Sequence, residues 1–140
     1  TIPHATADGT VDATLFTFTS LTDAGVSTSK TGTTTVRAPI LGLTKSVAVV
    51  GGGQPVPGAT LRYTISYSNT GTGASSASVI TDAIPANTNY TSNSVVLNSG
   101  SKTDIADADE VTVSGGTITV DLGSVAGGAS GSFTFDVVIQ

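Results

Sequence analysis

Between residues 61 and 69 the chain alternates without a break. Leu61, Tyr63, Ile65 and Tyr67 fall on one side of an extended backbone, and Arg62, Thr64, Ser66 and Ser68 fall on the other. That two-residue period is the mark of a half-buried β-strand. It returns near the C-terminus, where Phe133, Phe135, Val137 and Ile139 alternate with Ser132, Thr134, Asp136 and Val138, and in residues 117–122, where Ile118, Val120 and Leu122 share a face. Residues 76–82 carry Ala77, Val79 and Thr81 on one face and Ile80 on the other, which predicts an inner strand. Further strands are expected over 40–50, 89–92, 94–97 and 111–113, with 98–108 a polar loop. No helical period is present in any window of a dozen residues. Gly51, Gly52 and Gly53, then Pro55, Pro57 and Gly58, and later Ile84-Pro85-Ala86-Asn87, supply breaks. Short strands between such signals, spaced about eight to twelve residues apart, predict an all-β chain folded as an immunoglobulin-like β-sandwich.

The N-terminal part reads differently. Residues 1–38 form a Thr-rich arm with two strand-like pieces, 11–20 and 31–38, separated by the turn-rich stretch 22–30, and Pro39 marks the boundary with a sandwich domain over 39–140. That domain yields about six principal strands where a sandwich of this type needs about seven. The last alternating strand runs into Gln140 with nothing after it, so the expectation is a sandwich lacking its last strand, with an edge along Phe133, Phe135, Val137 and Ile139 that another segment must cover. These four residues are the expected acceptor groove. The expected donor residues are Val11, Ala13, Leu15, Phe16 and Phe18 of the first arm piece and Thr33, Thr34, Thr35 and Val36 of the second. Closure by the same molecule would need 31–38 to fold back, and the few residues from Ala38 to Leu43 are short for that reach. Donation to another copy is therefore the favoured reading, with closure within one chain, or a fragment truncated at Gln140, as the alternatives.

Pro57-Gly58-Ala59-Thr60 before Leu61-Arg62-Tyr63-Thr64-Ile65, then Tyr67-Ser68-Asn69-Thr70-Gly71, and Thr81-Asp82-Ala83-Ile84-Pro85 followed by Tyr90, make the stretch from about Leu43 to Ile139 resemble the DUF11 family. That family is an immunoglobulin-like repeat of bacterial and archaeal cell-surface proteins. The resemblance implies one further strand of the type N-T-A-T-V after Ile139. Here a comparable stretch, Gly32-Thr33-Thr34-Thr35-Val36-Arg37-Ala38-Pro39, instead precedes Leu43-Thr44-Lys45, as though a tandem array had been divided one strand early.

Composition narrows the function. Charged residues make up 11 % of the chain, so hydroxyl side chains must cover much of the surface, and the net charge is −5. Phosphate binding needs clustered cations, whereas Lys30, Arg37, Lys45, Arg62 and Lys102 are scattered, so no nucleic-acid partner is expected. No apolar run reaches membrane-span length. With no Cys, disulfides and thiolate metal sites are excluded. The one histidine, His4, is expected at the surface and no enzyme is expected, because neither a Ser/His/Asp nor a Cys/His arrangement can be assembled. The glycine run at 51–53 leads into a proline turn and so is not a phosphate cradle. Thr1 in place of Met fits a product of signal-peptide removal, and equally a trimmed chain.

Two chemistries remain as candidates. Asp104, Asp107, Asp109 and Glu110 gather carboxylates in one polar loop, a hard-oxygen set that suits Ca²⁺ without matching an EF-hand spacing; the other reading is a solvated acidic loop. Asn89-Tyr90-Thr91 is an N-x-T acceptor for a covalent glycan. Asp82, Asp121 and Asp136 read as outward strand positions. No cofactor is otherwise expected. The expectation is an extracellular, cell-surface structural subunit, bacterial or archaeal, that polymerises head to tail with other copies of itself. The alternative is a calcium- or sugar-binding adhesin module cut from a tandem-repeat surface protein.

Overall fold

The computed structural model describes residues 6–23 and 25–140; His4 lies outside them. Every regular element in it is a strand. A hairpin of β1 (Val11–Thr19) and β2 (Ser27–Thr35) comes first, followed by β3 (Leu41–Val49), β4 (Thr60–Asn69), β5 (Ser78–Ala83), β6 (Thr88–Tyr90), β7 (Val96–Leu97), β8 (Gly100–Ser101), β9 (Val111–Ser114), β10 (Thr117–Gly123) and β11 (Ser130–Ile139). From β3 onward these form an immunoglobulin-like sandwich of two antiparallel sheets. One runs β3-β4-β11-β7-β8, with β6 also pairing β11, and the other runs β5-β10-β9.

The alternation predicted over 61–69 and 132–140 builds the centre of the core. β4 and β11 pair in the register Phe133↔Ile65 and Phe135↔Tyr63, which stacks their apolar rows side by side. Phe133, Phe135, Val137, Ile118 and Val120 are wholly buried, together with Val95 from the other end of the larger sheet. On the outer face Arg62 grips Asp136 through two parallel bonds of 2.8 Å.

Four expectations are corrected. The strand carrying Phe133, Phe135, Val137 and Ile139 is not an open edge: β11 is flanked by β4 along one side and by β6 and β7 along the other. The second arm strand begins at Ser27, inside the stretch read as turn, because its Thr and Ser residues pair residue for residue with β1 from Val11↔Thr35 to Thr19↔Ser27. Residues 78–83 form an outer strand, paired only with β10, and it is Ile80 that faces the core while Val79 is exposed. The loop 98–108 contributes a short strand, β8, that pairs with β7.

A sandwich open along one side, and its projecting arm

The two sheets are unequal. The pairings Leu43↔Tyr67 and Val47↔Tyr63 put Leu41, Leu43, Lys45 and Val47 on the inward face of β3, yet Leu41, Leu43 and Val47 are 57 %, 59 % and 52 % exposed. The facing sheet stops at β5, whose outer edge pairs with no strand among the described residues. An apolar cleft of about 200 Å³ is left along this side, lined by Leu41, Leu43, Tyr67, Ile80, Leu122 and Val125. The uncovered side therefore lies between β3 and β5, not along β11 where a vacancy was expected.

Lys45 crosses the gap. Its Nζ lies 2.6 Å from Asp82 Oδ1 on the opposite sheet, 4.7 Å above the Tyr63 ring and 5.8 Å from the centre of Phe135, and those two rings stack at 5.1 Å. Asp82 thus points inward, against the outward position expected for it. Its second carboxylate oxygen is buried and has no hydrogen-bond partner among the described residues. Sequence reading missed this pair. The signal was present: Asp82 lies two residues from Ile80 and shares its face, but a strand apolar on both faces was read as an inner one with Asp82 outward.

The arm is launched from a built joint. Asn69, 1 % exposed, accepts the Ile40 and Gly71 N–H groups on Oδ1 and donates from Nδ2 to the carbonyls of Gly73 and Val125. Residues 37–39 lie against this loop so closely that a Cβ at Gly71 would sit 2.2 Å from the Ala38 oxygen, and one at Gly73 2.7 Å from that of Arg37. Asp8 closes the joint, accepting from Ala38 N–H, Thr72 N–H and the Thr72 hydroxyl. Beyond it β1 and β2 touch no other strand among the described residues. Leu15, Phe16 and Phe18 are 64 %, 55 % and 72 % exposed, although a two-stranded hairpin alone is marginal in water. Of the expected donor residues, Thr33, Thr34 and Thr35 pair with β1 rather than with the sandwich, and Val36 bonds Thr10. Residues 31–38 do not lie beside β11.

The Thr72 hydroxyl, followed by the Ala38 and Thr72 amides, holds the Asp8 carboxyl below its ordinary value of 3.8. A depressed folded-state pKa means that the joint keeps its contribution above 3.8 and loses it as pH falls through the lower folded value. The Ala38 and Thr72 amide resonances are expected to titrate together with a midpoint below 3.8, and Asp8→Asn to abolish that titration; a midpoint at or above 3.8 would show that the joint draws nothing from the carboxylate.

The acidic loop is occupied by its own hydrogen bonds. Asp104 accepts from Tyr90 Oη and Asn93 N–H; burial first, and then that bond, push Tyr90 up to about 12. Asp107 and Asp109 take the Thr103 hydroxyl and the amides of Thr103, Asp109 and Val111, and Glu110 pairs with Lys102. Among the described residues no three His, Cys, Asp or Glu side chains are grouped so as to hold a metal ion. Asn89 is exposed on β6, its Oδ1 accepting from Gln140 Nε2 at 2.9 Å, so an N-linked sugar would meet no core packing there.

The fold and this open side define an immunoglobulin-like sandwich with one uncovered flank and an appended hairpin. Comparison with protein-family models, curated proteins and solved structures finds no match to the chain.

Proposed function

We propose that the chain is a structural subunit of an extracellular filament or surface appendage, polymerising head to tail as the arm of one copy completes the sandwich of the next. The observation that carries this reading is the coexistence, among the described residues, of an uncovered apolar flank between β3 and β5 and a projecting β1 with apolar side chains and an unpaired outer edge. Each lacks what the other offers: β5 needs a ladder partner, β3 needs apolar cover, and β1 has both to give. A strand laid on β5 would gain roughly 0.5–1.5 kcal/mol for each ladder bond. Covering half-exposed side chains such as Leu41, Leu43 and Phe16 adds about 1 kcal/mol each, and together these can exceed the association cost of about 4–15 kcal/mol. A head-to-tail contact that does not close on itself extends as a fibre. The hydroxyl-rich surface of low charge and the resemblance to surface repeats support the extracellular assignment.

Sedimentation across a concentration series tests the reading. The full chain is expected to grow with concentration, and deletion of residues 1–38 to leave monomers. Phe16→Ser should raise the concentration needed for assembly by about 5-fold, the equivalent of about 1 kcal/mol of lost burial. A full chain that stays monomeric at every concentration overturns the proposal.

A further inference from the structure

Building on that assembly, we propose that Lys45 and Asp82 form a self-acting amide-bond site that joins Lys45 covalently to Asp12 of a second copy. The pair is placed for it. Lys45 and Asp82 face each other across the uncovered flank at 2.6 Å, Lys45 rests on the Tyr63 and Phe135 rings, and the second oxygen of Asp82 is buried without a partner among the described residues. The Lys45 side chain is still 40 % exposed, so the site is unfinished on the side where a strand would enter.

The arm contains no Asn, Gln or Glu, and its carboxylates are Asp8, Asp12 and Asp23. Asp8 is held in the joint and Asp23 accepts the Gly25 amide, which leaves Asp12. Alternation puts Asp12 on the same face of β1 as Thr14, Phe16 and Phe18. The cleft is spaced to match. Lys45, Leu43 and Leu41 succeed one another along β3 at the same two-residue interval, so Asp12 opposite Lys45 sets Thr14 at Leu43 and Phe16 over the apolar cleft at Leu41. In that register β1 runs antiparallel to β5, with Asp12 opposite Asp82, and its edge away from β2 makes the ladder, so the donor hairpin stays intact.

Insertion excludes water from the pair, and buried charges in such surroundings neutralise by moving a proton. The Lys45 ammonium passes one proton to Asp82, leaving an amine. Its lone pair attacks Cγ of the incoming Asp12, present as the acid, and a C–N bond forms. Asp82 relays protons from the nitrogen to the departing hydroxyl, the C–O bond breaks, and water leaves. Ammonium plus carboxylic acid becomes amide, water and one proton, with no oxidant, nucleotide or metal consumed, and Asp82, a carboxylate at the start, ends holding that proton until it passes to solvent.

The test uses assembled full-length chain, with native size measured alongside. In hot denaturing detergent the assembled chain is expected to give a ladder of covalent oligomers, and digestion to give a branched peptide joining Lys45 to Asp12, one water lighter than its two parts. Lys45→Arg, Asp82→Asn and Asp12→Ser should each remove the ladder. Asp12→Asn should yield the identical branched peptide, ammonia leaving in place of water. Assemblies that fall wholly to monomers in detergent, or a ladder that persists in Lys45→Arg, overturn the covalent site and leave the assembly reading standing. A wild-type chain that never assembles overturns both.

Discussion

Asn69→Ala is expected to lower the stability of the chain by about 3–5 kcal/mol, and with it the melting temperature by more than about ten degrees. The side chain is 1 % exposed and uses both amide hydrogens and two lone-pair directions at once, on Gly73, Val125, Ile40 and Gly71. Alanine would leave those backbone groups without partners in space too tight for water to replace them. The loss is also functional. Ile40 begins the run into β3, and Gly71 and Gly73 form the seat of residues 37–39, so the variant should release the arm from its fixed direction as well as weaken the sandwich. Thermal unfolding followed by circular dichroism checks the first effect. The Ala38 and Thr72 amide resonances, collapsing toward unstructured values before global unfolding, check the second. A melting temperature within a few degrees of wild type would mean that the loop is held by something other than this amide.

Phe135→Ala is expected to cost about 3–5 kcal/mol as well, by cavity formation rather than by orphaned polar groups. Phe135 is wholly buried and stacks on Tyr63 beneath Lys45, so its removal empties the core and withdraws the ring that supports Tyr63 and Lys45 in one step. Val79→Ser provides the contrast: Val79 is exposed on the outward face of β5, and its loss should change stability by under about 0.5 kcal/mol. Chemical denaturation of the two variants side by side measures the difference. Equal effects would contradict the assignment of inner and outer rows. If Phe135→Ala folds at low temperature, it should also assemble more weakly than its remaining stability accounts for, because the surface that receives the incoming strand has sunk.

The joint at Asn69 was legible only as a turn, since nothing in Asn69-Thr70-Gly71-Thr72-Gly73 announces contacts with Asp8, Ile40 and Val125 far along the chain. The partners of the acidic loop were no more legible: Asp104, Asp107 and Asp109 accept from nearby amides and hydroxyls, and Glu110 pairs with Lys102. Short polar side chains in loops compete for local backbone donors first.

By itself the sequence determined the strands and most of their inward rows, because the two-residue alternation is a property of the extended backbone that Leu61, Tyr63 and Ile65, or Phe133, Phe135 and Val137, express wherever they are placed. Only the tertiary structure decided which edges lack a partner and which side is uncovered. Ladder hydrogen bonds are made by backbone groups that every residue shares, so alternation names a strand's face without naming its neighbours. β11 came to lie in the middle of its sheet, β5 at the rim of the other, and Lys45 and Asp82 met across the gap between them.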